Sequence, residues 1–187
     1  MKNNDFEIRT ASLNAESQKL VGYAVRYNSL SEVIWGEFVE QFAPGAFTAS
    51  LASGADCRAL YEHDHMQLLG RTTSGTLVLT EDNTGLRFEL TPPDTQLGRD
   101  VLTLVERGDI SGMSFAFRAI SEEWNIEVAP CVRTVTAAEL REITVTSMPA
   151  YTQSSVEIAL RSLLAQHPSL SGLSLDMRRR QAELAGL

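Results

Sequence analysis

Two of the chain's three histidines fall within Glu62-His63-Asp64-His65, each beside a carboxylate. At a strand end alternate side chains share a face, so His63 and His65 could serve as a pair of metal ligands. No third Cys or His stands where it would complete such a set. Histidine is also the side chain that titrates near neutrality, which suits a general base. A solvated polar turn is the third reading, and spacing alone does not choose among them.

Ser111-Gly112-Met113-Ser114-Phe115 carries a second candidate. It lacks the G-x-S-x-G arrangement of a hydrolase elbow. In a strand, Ser114 would project opposite the flanking Phe115 and Phe117, and Gly112 would let another backbone approach closely. Ser114 thus reads either as a strand serine or as a nucleophile in need of a base. Glu142, in Leu140-Arg141-Glu142-Ile143-Thr144-Val145, shares a face with Thr144 and Thr146 by alternation. It is either an exposed carboxylate paired with a nearby cation or the acceptor for a histidine Nδ1 proton.

The elements that must position these residues read as mostly β. Residues 6–13 and 19–27 are rich in β-formers, with a turn between them, and residues 37–42 form a further short strand. Pro44-Gly45 opens a short helix over 44–52. An apolar run at 57–61 leads into the His63 cluster. Residues 76–80 and 85–91 bracket Glu81-Asp82-Asn83-Thr84 as a hairpin. Asp94 or Thr95 caps a helix over 96–107, with Val101, Leu102, Leu104 and Val105 as its apolar stripe and Gly108 at its end. Long strands follow at 111–124 and 139–147, then a helix over 154–164. From His167 a Pro/Ser/Gly linker leads to Arg178-Arg179-Arg180. The pattern suits an α+β or mainly β fold rather than alternating βαβ units, and leaves open sheet and closed barrel both in play.

A chain of 187 residues with 43% hydrophobic and 21% charged residues can bury a real core as one domain plus a tail. The net charge of -8 argues against nucleic acid and anionic membrane surfaces as partners. Residues 1–9 show no apolar signal region, and no stretch approaches a membrane span. Cys57 and Cys131 sit in no metal or redox spacing and read as reduced core residues. These features imply a cytoplasmic protein whose partners are other proteins.

Five motifs occur in order: Gly22-Tyr23-Ala24-Val25 with Tyr27-Asn28; Phe42-Ala43-Pro44-Gly45-Ala46-Phe47; His63-Asp64 with Leu69-Gly70-Arg71; Gly112-Met113-Ser114-Phe115-Ala116-Phe117; and Leu140-Arg141-Glu142-Ile143 leading to Met148-Pro149-Ala150-Tyr151. Over residues 5–160 the set resembles the prohead protease family of tailed bacteriophages, a family related in fold to the herpesvirus assembly protease. The resemblance implies an antiparallel β-barrel with a few short helices, residues 1–165 as the protease domain, and 166–187 as a linker and basic tail, either packaged and removed or simply a frayed end. It implies a serine endopeptidase with Ser114 as nucleophile and His63 as base. The family histidine usually stands in Asn-His-Asp, and Glu62 here replaces the Asn. Glu142 is implied as third member, where the herpesvirus relatives use a second histidine. Arg71 or backbone N–H groups are the candidates for oxyanion support. No cofactor or metal is implied. The implied substrates are scaffold protein or the scaffold-like segment of the major capsid protein, and the protease itself, inside a prohead assembling in the host cytoplasm. Homo-oligomerisation stays open. A non-catalytic assembly protein of the same fold and a metallohydrolase using His63, Asp64 and His65 are the alternatives.

Overall fold

In the computed structural model, residues 7–16, 18–34, 36–147 and 165–166 are described, the first segment by its backbone alone. The alternating runs fold as nine strands: β1 (Glu7–Glu16), β2 (Lys19–Arg26), β3 (Phe38–Phe42), β4 (Arg58–Tyr61), β5 (Asp64–Arg71), β6 (Leu77–Glu81), β7 (Gly85–Leu90), β8 (Gly112–Asn125) and β9 (Cys131–Thr146). Two helices interrupt them, α1 (Thr48–Ala52) and α2 (Gln96–Glu106). The hydrogen-bonded order is β5-β4-β9-β8-β1-β2-β7-β6, with β3 also joined to β9.

The organising element is β9. One edge pairs antiparallel with β8 along nearly its whole length. The other edge takes β3 in parallel along residues 131–135 and β4 in parallel along residues 142–145. An all-antiparallel sheet was expected and these two ladders correct it. The chain reaches β9 only after the excursion through α2 and β8, and a crossover of that length permits parallel pairing.

The expected barrel is likewise corrected, because among the described residues no ladder joins the end strands β5 and β6. The two ends do approach. A Cβ on Gly70 of β5 would lie 2.6 Å from Leu90 Cδ1 of β7 and 3.0 Å from Thr76 Oγ1, so a side chain there would have to displace Leu90. The local polar groups, however, are satisfied by the connection itself. Arg71 N–H donates to Thr76 Oγ1 at 2.9 Å, and Thr91 N–H donates to Thr76 O at 2.9 Å. The fold is mainly β with two helices around an open, curled sheet.

The core lies on one face of β8 and β9. Phe42 is at its centre, stacked on Phe47 with centroids 5.5 Å apart and edge-on to Phe115 and Phe117 at 5.7 and 5.1 Å. Each such buried ring contributes about 1.5–3 kcal/mol by area alone. Helix α2 adds Val101 and Val105 to the same cluster. Its N-terminus is capped by Thr95 Oγ1, which accepts from Gly98 N–H at 3.3 Å, and Gly108 follows at φ 79°.

Two elements differ from expectation in extent. The helix expected over 44–52 is regular only from Thr48, and β9 begins eight residues before the expected 139. Strand β5 was not expected. The helix expected over 154–164 and the tail from 167 lie outside the described residues.

Candidate active site

Strands β4 and β5 form a hairpin in which Tyr61 pairs with Asp64, leaving Glu62 and His63 as a two-residue loop. Both loop residues have positive φ, 51° and 57°, which matches the twist of the strands but is uncommon for a glutamate. Glu62 N–H donates to Val145 O at 3.0 Å, carrying the contact with β9 one residue past β4. The Glu62 carboxylate accepts from Thr146 Oγ1 at 2.7 Å, Ser147 N–H at 2.8 Å and Ser147 Oγ at 2.8 Å. Burial alone would raise this carboxyl, but these donors outweigh it and hold Glu62 below the usual carboxylate range.

The turn lays His63 over the face of β9 opposite the aromatic core. Its Nδ1 donates to Glu142 Oε1 at 2.8 Å. Glu142 is buried at 7% exposure, and Thr144 Oγ1 donates to the same oxygen at 3.4 Å. Across the ladder Ser114 of β8 pairs with Thr144 and lies diagonal to Glu142, on their face of the sheet. Phe115 and Phe117 point the other way into the core, as alternation requires. Ser114 is fully buried.

Among the described residues, two buried side-chain polar atoms have no hydrogen-bond partner: His63 Nε2 and Ser114 Oγ. Native proteins seldom leave such groups unpaired, and the exceptions concentrate where chemistry is done. With Nδ1–H committed to a carboxylate, the neutral ring presents Nε2 as a proton acceptor. An acceptor nitrogen and an unpartnered hydroxyl on one face of one sheet are what acyl transfer by a serine requires.

Residues 4–168 match the family model described as caudovirus prohead serine protease. The chain belongs to that family. It is accordingly a serine protease of phage capsid maturation. No curated protein and no solved structure matches it, so the likeness to the herpesvirus enzyme rests on resemblance alone.

Within this prohead protease the remaining candidates are held elsewhere. Arg71 donates to Asp56 through Nε at 3.1 Å and Nη2 at 2.5 Å. That bond, with Thr73 adding to it, lowers the Asp56 carboxyl to about 2. In register Arg71 aligns with Arg58, Glu142 and Ala116, three ladder spacings or about 14 Å from β8 at backbone level. The structure therefore does not bring Arg71 to Ser114. The Asp64 carboxylate turns back to Met66 N–H at 2.8 Å and Gln67 Nε2 at 3.0 Å. His65 is exposed on β5 and lines a recess of about 180 Å³ with Asp56, Arg58, Arg141 and Glu142, while the Nδ1 bond to Glu142 is made by His63. Among the described residues no group of three or more His, Cys, Asp and Glu is placed to hold a metal. Cys57 is buried and its thiol is pushed up to about 12, chiefly by desolvation, so it is no nucleophile at neutral pH.

Sequence reasoning missed the Glu62 contacts and the Thr144 bond to Glu142. The only signal for the first was a charged residue occupying a tight-turn position next to a candidate histidine.

Proposed function

We propose that this prohead protease hydrolyses peptide bonds with Ser114 as nucleophile, His63 as general base and Glu142 as the carboxylate that orients the imidazole. The observation that carries the reading is the His63 Nδ1 bond to Glu142 at 2.8 Å, together with the unpartnered Nε2 and the unpartnered Ser114 hydroxyl. Ser114 Oγ attacks the scissile carbonyl carbon as its proton passes to His63 Nε2. Glu142 stabilises the resulting imidazolium without taking the proton. Collapse of the tetrahedral intermediate breaks the C–N bond, and Nε2 returns the proton to the leaving amine. Water then releases the acyl group by the same path in reverse. The oxyanion falls to backbone N–H donors, since Arg71 is engaged with Asp56.

Membership of the family supports, as substrates, scaffold protein or the scaffold-like segment of the major capsid protein, together with the protease's own chain, cut inside the assembling prohead. The net charge of -8 accords with protein rather than nucleic-acid partners. Among the described residues no helix is long and apolar enough to cross a membrane.

Co-expression with the cognate capsid and scaffold proteins, read by mass spectrometry, tests the assignment. Wild type should give discrete capsid or scaffold fragments, and Ser114→Ala none. Normal fragments from folded Ser114→Ala would remove Ser114 from the mechanism. The absence of fragments with wild type would favour the non-catalytic assembly protein.

A further inference from the structure

The turn that carries His63 is built against backbone preference. Glu62 and His63 both sit at positive φ, a region that histidine visits more readily than most side chains and glutamate seldom does. What holds the pair there is visible in Glu62 itself. Its N–H is bonded to Val145, and its carboxylate gathers three donors from Thr146 and Ser147. All four bonds reach consecutive residues at the end of β9, the strand that also carries Glu142.

We propose that Glu62 is a positioning residue of this protease: its carboxylate clamps the β4–β5 turn to the end of β9 and so fixes the His63 ring between Glu142 and Ser114. The inference rests on the roles proposed above for those three residues. Without the carboxylate, the turn would keep only the Glu62 N–H bond to Val145 and the ring only its Nδ1 bond, about which it could pivot. With the clamp, the residue before His63 is tied to the same strand, and the direction of Nε2 is set as well. A base must be oriented before it can be effective, and misplacement by about 1 Å can cost about a hundredfold in rate.

The carboxylate also lies within electrostatic reach of His63, where its charge favours the imidazolium formed as Ser114 loses its proton. Of the charged groups on the elements beside the turn, Glu142 on β9 bonds the ring, Arg58 on β4 pairs with Asp56, and Asp64 and His65 follow on β5. Asp64 is turned back onto its own strand by Met66 and Gln67. Glu142 and Glu62 are thus the two carboxylates set to bias the ring, and Glu62 is the one that also shapes the turn.

The rate at which a fluorophosphonate probe phosphonylates Ser114, followed by mass spectrometry across pH, tests this without a known substrate. Glu62→Gln, folded by circular dichroism, should label about 10–100-fold more slowly. Its acid limb should move to lower pH, because removal of a nearby negative charge lowers the imidazole's affinity for a proton. The double variant Thr146→Val, Ser147→Ala removes two of the three donors and keeps the charge. It should slow labelling and leave the acid limb nearer to wild type. A wild-type rate with an unmoved limb in Glu62→Gln overturns the clamp. Should Glu62→Gln fail to fold, the double variant decides, and its labelling at the wild-type rate overturns the clamp equally. Undiminished labelling of Ser114→Ala would instead sink the nucleophile assignment, and the two failures are distinguishable.

Discussion

The Ser114 hydroxyl and His63 Nε2 lie buried without partners, an arrangement that ordinarily costs about 1–3 kcal/mol for each group. Removing the hydroxyl should therefore stabilise the protein while ending catalysis, as expected where function is held against stability. Ser114→Ala is predicted to raise the calorimetric Tm by about 2–4 °C, the shift that 1 kcal/mol produces in a chain of this size. A clear fall in Tm would mean that the hydroxyl does structural work. Glu142→Gln keeps the side chain's size but can present an N–H where His63 Nδ1 needs an acceptor. The corresponding Asp→Asn change in trypsin-like triads costs about ten-thousandfold. Here Thr144 also bonds Oε1 and the longer Glu chain holds the ring less firmly, so a loss of about 10²–10³-fold in cleavage rate is expected. Full activity in Glu142→Gln would leave a Ser-His dyad. At this scale the sequence offered His63, Ser114 and Glu142 as candidates, and the structure adds the His63–Glu142 bond and the unpartnered Ser114 hydroxyl. The Glu62 clamp was not, because its partners lie 84 and 85 residues away and nothing local announces them.

Strand β8, helix α2 and the β6–β7 hairpin could be read because each carries its own signal: alternation about Phe115 and Phe117, a capped apolar stripe, and a polar turn between β runs. Strand β5 opens with Asp64, His65, Met66 and Gln67, polar or exposed residues whose strand state depends on pairing with β4. The first half of β9 was hidden by Arg133, a residue type that is almost never buried without a partner. Arg133 is 1% exposed and bonds Glu40 Oε2 through Nη1 at 2.7 Å and Glu122 Oε2 through Nε at 2.7 Å. Nη2 also reaches Glu122, whose Oε1 accepts from Trp124 Nε1 at 3.2 Å. This network joins β3, β8 and β9. Removing Glu40 leaves buried positive charge less compensated, so Glu40→Ala should cost about 3–5 kcal/mol in denaturant unfolding. A loss below about 1 kcal/mol would show that Glu122 suffices.

Across the whole molecule, the carboxylates of Asp56, Glu62, Asp64, Asp82 and Glu89 all stand below their usual range. For Asp56 the leading cause is the Arg71 bond, and for Glu62 the donors at the end of β9 outweigh burial. A group whose folded value is depressed adds stability that is full above its ordinary value and vanishes as pH falls through the folded value. For Asp56 that window runs from 3.8 down to about 2. Thermal melts should therefore lose stability steadily through this range, and Asp56→Asn should flatten part of that loss. An Asp56→Asn curve parallel to wild type would contradict the pairing. The barrel inferred from resemblance failed at this scale too. Where the end strands meet, Thr76 accepts from Arg71 N–H and Thr91 N–H and no β5–β6 ladder forms among the described residues, a detail that no motif records.

In the proposed mechanism Ser114, activated by His63, is the group that attacks. Its most direct measurement is peptide mapping by mass spectrometry after treatment with a fluorophosphonate probe. One adduct is expected, on the peptide containing Ser114, forming at least about a thousandfold more slowly in folded His63→Ala and at close to the wild-type rate in His65→Ala. An adduct on another serine, or undiminished labelling in His63→Ala, would contradict it.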